Sequence, residues 1–228
     1  MKFSIRNLAL LPCLVAFVAL TGLSSTAKAD SFSVNGSVWE LGSFANVPPA
    51  GSSVYGTTPT ATFTVTNSSA TNLFNFDSRG ASGNATYYTL SSFLTSGGDN
   101  LFYGTGSSKG GDSIDNDLFQ FTGSTTLSNG TYTFEHDDGL LLYLNGTLAI
   151  NQGIPTSPTT TLFTVCASGC NAVAGTYDFT LDYAEVAGPP AVLETNLPLT
   201  STPEPSSILL FGTGLFGVAG MIRRRLSI

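Results

Sequence analysis

Gly175-Thr176-Tyr177-Asp178-Phe179-Thr180-Leu181-Asp182-Tyr183-Ala184-Glu185 alternates large apolar side chains with polar ones. Successive side chains of an extended chain point to opposite faces. Tyr177, Phe179, Leu181 and Tyr183 therefore share one side, and Asp178, Thr180 and Asp182 the other. The alternation predicts a strand with one buried and one wetted face, as antiparallel sheets have. On either side of this stretch no segment shows helical periodicity. Short runs rich in Thr, Val, Phe and Tyr recur instead, cut by Gly, Asn, Pro and Ser. They predict strands over 33–41, 60–65, 73–77, 117–122, 130–136, 140–144, 147–151, 161–165, 175–185 and 191–195. Asn145-Gly146 is a two-residue hairpin signal, since both positions tolerate positive φ; Asn129-Gly130 is a weaker one. Residues 89–94 read as a strand or a helical turn, and 78–85 and 96–113 as glycine- and serine-rich loops. The expected fold class is all-β, an antiparallel β-sandwich formed by one domain over 30–202.

Electrostatics narrows the partners. Over 30–205 the chain holds 15 Asp and Glu against two basic residues, Arg79 and Lys109, a net charge of −13. Such a body repels phosphate backbones and anionic lipid, which argues against nucleic-acid binding. Acidity suits solubility and divalent cations alike.

Both ends read as addresses. Lys2 and Arg6 precede an apolar run over 8–20, and Ala27-Lys28-Ala29 supplies small residues for cleavage, so 1–29 reads as a signal peptide. Cys13 lies inside the apolar run and would be lost with it. At the other end Pro203-Glu204-Pro205 leads into 15 uncharged, mostly apolar residues (208–222), closed by Arg223-Arg224-Arg225. As a helix this run spans roughly 22 Å, short of a ~30 Å hydrocarbon core. The arginines favour the cytoplasmic side. The tail (203–228) resembles the PEP-CTERM sorting signal. That resemblance implies a bacterial source, export through the inner membrane, transient anchoring by a short C-terminal transmembrane helix, and processing by an exosortase.

Two cysteines remain in the body, Cys166 and Cys170, within Cys-Ala-Ser-Gly-Cys. In an exported chain they should form a local disulfide. His136 is the only histidine, so a zinc site lacks ligands.

A second resemblance rests on ordered pieces: 118–123 (Leu-Phe-Gln-Phe-Thr-Gly), 130–139 (Gly-Thr-Tyr-Thr-Phe-Glu-His-Asp-Asp-Gly), 142–146 (Leu-Tyr-Leu-Asn-Gly), 175–177, and 181–188. Together, over 117–197, they resemble a PA14-type β-sandwich. In the adhesin branch of that family an Asp-Asp pair joined by a cis peptide turns both carboxylates toward one calcium, which then holds sugar hydroxyls. The resemblance therefore makes Asp137 and Asp138 candidate calcium ligands. Glu185, falling where those adhesins place an Asn, is the third. An alternative reading of Asp137-Asp138-Gly139 is a bare tight turn with Gly139 at positive φ.

Other motifs are weaker. Asp112, Asp115 and Asp117 have neither EF-hand spacing nor a closing Glu and read as a solvated loop. His136 reads as a strand-end side chain, with no nucleophile motif to serve. Trp39 reads as core.

The expected function is that of an exported, non-enzymatic envelope or extracellular-matrix protein associating with exopolysaccharide, with calcium as candidate cofactor. A structural matrix or floc protein without a specific ligand is the alternative, and a polysaccharide hydrolase the second.

Overall fold

The computed structural model describes residues 32–43, 45–67, 74–79, 88–186 and 188–200. The proposed signal peptide and the proposed C-terminal helix lie outside the described residues. Among the described residues no helix is long and apolar enough to cross a membrane.

Among the described residues eleven strands form two antiparallel sheets. They are β1 (Phe32–Glu40), β2 (Ala61–Asn67), β3 (Asn75–Asp77), β4 (Asn100–Thr105), β5 (Asp117–Leu127), β6 (Gly130–Asp137), β7 (Gly139–Leu144), β8 (Thr147–Gln152), β9 (Thr159–Val165), β10 (Gly175–Glu185) and β11 (Val192–Thr195). The larger sheet runs β4-β2-β1-β5-β10-β7-β8 and the smaller β3-β11-β6-β9. The two pack face to face over one aromatic core. Phe63, Phe119, Phe121, Phe179, Leu181 and Tyr183 enter it from the larger sheet, and Phe76, Phe134, Phe163 and Leu193 from the smaller. Burying these rings on folding is the main driving force.

The strand expectations hold within a few residues, and β10 matches the predicted 175–185 stretch. Asn145 and Gly146 both take positive φ (48° and 77°), as the hairpin signal required. Two readings are corrected, and one left between two alternatives is settled. The stretch read as loop over 96–113 contains β4, an edge strand on β2. Its glycine is set by packing, because a Cβ on Gly104 would lie 2.7 Å from Thr62 Oγ1. The weaker hairpin signal at Asn129-Gly130 is not a hairpin: β5 ends at Leu127 in the larger sheet and β6 starts at Gly130 in the smaller, so the short link crosses between sheets. Residues 89–94, left open above, form a short helix α1 (Leu90–Leu94). Thr89 caps it by accepting from the Ser92 amide at 3.2 Å, and Leu90, Phe93 and Leu94 are buried.

The wetted face of β10 is wet only in part. Asp178 is exposed, but Asp182 is fully buried. The segment joining β1 to β2 folds back across the outside of the larger sheet. Val47, with Leu41, Val54 and Tyr55, packs there on Trp39, Leu118, Leu141, Tyr143 and Ala184 as a second core. Val47 N donates to Gly153 O (2.8 Å), and Ala50 N to the Tyr143 hydroxyl (2.9 Å). Trp39 is therefore core, as expected, but in this outer layer.

The disulfide is present. Cys166 and Cys170 are bonded, with Cα atoms 5.7 Å apart.

Candidate functional site

Asp137 is the last residue of β6, in the smaller sheet, and Gly139 the first of β7, in the larger. Asp138 is thus the single residue over which the chain crosses between layers. The peptide joining Asp137 to Asp138 is cis. Gly139 is needed for space rather than for positive φ. A Cβ there would sit 2.6 Å from Val47 Cγ2 and 2.9 Å from Gly153 O, and Gly139 is not among the positive-φ glycines.

The backbone of the pair is held from both sheets. The Asp138 amide donates to Ala184 O at 3.2 Å. The Tyr183 hydroxyl donates to the Asp137 carbonyl and accepts from Val192 N (3.2 Å). His136 Nδ1 lies 2.6 Å from the Asp138 carbonyl and Nε2 lies 3.1 Å from Thr161 Oγ1. A carbonyl only accepts, so Nδ1 carries the proton and Nε2 accepts from Thr161. Burial pushes the His136 pKa down, against the pull of Asp138, which keeps the ring neutral. His136 is fully buried. His136 stands at the end of β6, as expected, and its alternation with Phe134 carries it inward.

The side chains then converge on one corner. Asp137 and Asp138 are 7% and 6% exposed. Burial pushes the Asp137 carboxyl up to about 6, helped by the Asp138 charge and a hydrogen bond between the two carboxyls, with Arg79 opposing. Asp138 Oδ2 also accepts from the Val186 amide at 2.8 Å, which ties the pair to the loop after β10. In that loop Gly188 has φ 78° and the Pro189-Pro190 peptide is cis. Glu185 is 1% exposed and lies on the Tyr183 side, its Oε2 3.3 Å from the hydroxyl. Among the described residues no three His, Cys, Asp or Glu side chains gather as a ready metal-binding group. What the corner offers is two adjoining carboxylates of hard oxygen donors, with a third acid one residue before the Val186 contact. That donor chemistry fits calcium, which takes carboxylate and carbonyl oxygens in flexible geometry.

Reasoning from the sequence passed over Tyr183 and His136 as supports of this corner. The signal was present in part. Tyr183 closes an inward-facing row of β10, where a buried hydroxyl must find a partner.

The smaller sheet carries a second feature on its outer face. A polar groove of about 470 Å³ is lined by Asn75, Thr133, Glu135, Thr160, Glu194 and Asn196, among others. Glu135 and Glu194 sit directly opposite each other in the β6–β11 register. Arg79 bridges them, contacting Glu135 and, at 3.8 Å, Glu194.

Residues 201–225 match the family model described as the PEP-CTERM protein-sorting motif. The chain thus carries that sorting motif, outside the described residues. Among solved structures the protein is similar to a PA14 sugar-binding domain from an RTX adhesin. The identity is 17% over 75% of this chain and 99% of that one, with a TM-score of 0.48. It is similar, too, to the PA14 domain of the MpAFP antifreeze protein, at 19% identity over 80% of this chain and 89% of that one (TM-score 0.48). A β-glucosidase from Kluyveromyces marxianus, in complex with glucose, is 12% identical over 80% of this chain but only 18% of its own (TM-score 0.33). No curated protein matches the chain.

Proposed function

We propose that this is an exported, non-enzymatic protein of the bacterial cell surface or extracellular matrix that binds polysaccharide through calcium held by Asp137 and Asp138, with Glu185 alongside. The carrying observation is the corner itself. Two buried carboxylates adjoin each other, and one of them is tied to the Val186 amide of the following loop. A cation there would neutralise the pair and offer open coordination positions to ligand hydroxyls. The sorting motif supports export. On this reading residues 1–29 are removed as a signal peptide, and the C-terminal helix anchors the chain until an exosortase processes it. The similar PA14 domain from an RTX adhesin is a sugar-binding one, which agrees with the reading but does not carry it.

The test is a glycan array probed with purified protein in calcium, then in EGTA. Binding that disappears in EGTA and in Asp138→Asn supports the proposal. A flat array in calcium, with the protein folded, would instead favour a matrix protein without a specific ligand. Hydrolysis of an added polysaccharide, lost in Asp137→Asn, would overturn the non-enzymatic reading.

A further inference from the structure

Beyond the Asp137–Asp138 corner, the end of the larger sheet holds a buried acid, Asp117, that this function does not use. Glu40, Asp117 and Glu185 lie abreast at one register on three adjacent strands, Asp117 opposite Glu40 on β1 and opposite Glu185 on β10. Residues directly opposite share a face, and like charges so placed destabilise a sheet. Asp117 is 3% exposed, which corrects its reading as part of a solvated loop. Its Oδ2 accepts from the Asp115 amide (3.2 Å). Its Oδ1 is buried and has no hydrogen-bond partner among the described residues. Leaving such an oxygen unpaired is destabilising, more so if it is charged. Native structures usually satisfy such an atom with water, a proton or an ion.

The surroundings favour an ion. Glu40 and Glu185 flank Asp117 on the adjacent strands, and Asp112 and Asp115 add negative charge from the preceding loop. Lys109 is nearby but engaged, 2.8 Å from Asp112 and 3.5 Å from Glu40. The exposed Asp115 side chain is within reach of the loop after β10, since a Cβ on Gly188 would lie 3.8 Å from Asp115 Oδ1. That loop is the one whose Val186 amide holds Asp138.

We infer that Asp117 Oδ1 and the Asp115 carboxylate form a second divalent-cation site, distinct from the Asp137–Asp138 pair and close to Gly188 of the same loop. Calcium is the cation whose flexible, oxygen-rich coordination fits two carboxylates completed by water. Among the described residues no three acids already gather as a metal-binding group, so the affinity should be that of an extracellular module, with Kd about 10⁻⁴–10⁻³ M.

The experiment is calcium titration by isothermal calorimetry on the chelator-treated full chain, with Asp117→Asn, Asp115→Asn and Asp138→Asn variants. Asp117→Asn and Asp115→Asn should each weaken one class of site by about tenfold or more, while Asp138→Asn leaves that class in place. Asp115 is exposed, so its variant keeps the test valid even where Asp117→Asn disturbs folding. Titrations of both variants that superimpose on the wild type overturn the inference. Loss in these two with no effect of Asp138→Asn would uphold this site and sink the calcium at the first corner. Loss in Asp138→Asn alone would do the reverse.

Discussion

Tyr183 shows how one hydroxyl can organise a corner. Its ring stacks with Phe93 at 5.9 Å and lies near Phe119 at 5.7 Å, so packing fixes its position before any hydrogen bond is counted. The hydroxyl then links β6 to β11 by holding the Asp137 carbonyl and the Val192 amide. Tyr183→Phe keeps the ring and leaves two buried backbone groups unpaired. It should cost about 1–3 kcal/mol in urea unfolding, and it should weaken calcium binding at Asp137–Asp138 where a ring-only role would leave it unchanged. Unaltered stability and calcium affinity would remove Tyr183 from this role. Gly139→Ala tests the crossing from the other side. The added methyl must displace Val47 or the Gly153 backbone, so a loss of about 1–3 kcal/mol is expected in the same assay.

The segment between β1 and β2 turns the larger sheet into a middle layer, and this was the least legible part of the fold. Strand β10 could be read directly, because four large side chains repeat with period two. Nothing local says that Val47, Val54 and Tyr55, scattered among prolines and glycines, will find Leu141 and Tyr143 nearly a hundred residues later. Nor does spacing reveal that Asp182, patterned as a wet position, will lie beneath them. The edge strand β4 was hidden for a different reason: Gly104 and the glycine- and serine-rich residues after it read as loop, although close approach to Thr62 is what the glycine serves. The Asp-Asp-Gly corner was legible as a motif, but its supports reach it from other strands. The overlying segment has its own reporter. Trp39, the single tryptophan, meets Tyr55 edge-on at 5.6 Å and donates from Nε1 to Thr57 O at 3.3 Å. Tyr143→Phe removes the acceptor of the Ala50 amide. It should lower the denaturant midpoint read by tryptophan fluorescence, with a cost of about 1 kcal/mol. If the fluorescence transition does not move, the segment is held by apolar packing alone.

Acidity sets the pH response of the entire domain. Two buried carboxylates that belong to neither proposed cation site, Asp99 and Asp182, each have an ordinary pKa of 3.8 raised to about 6, chiefly by burial. Asp99 faces Asn67 (2.6 Å), and Asp182 faces Gln120 (3.0 Å) with Tyr55 nearby. Neither has a cation among the partners that shift it. Because the folded pKa lies above the unfolded one, the folded state binds more protons between about pH 4 and 6. Stability from these groups is therefore full below about pH 4 and is lost as pH rises through about 6. For the fully buried Asp182 the loss is on the order of 3 kcal/mol. The net charge of −13 works in the same direction, since self-repulsion falls as carboxylates take up protons. With calcium removed by EGTA, Tm should therefore be higher at pH 4.5 than at pH 7.5, the reverse of a protein stabilised by salt-bridged acids. Asp182→Asn combined with Asp99→Asn should flatten the profile by raising Tm at pH 7.5. A Tm that rises from pH 4.5 to 7.5 in EGTA, with the double variant following it, would show that these carboxylates are charged and satisfied in the fold.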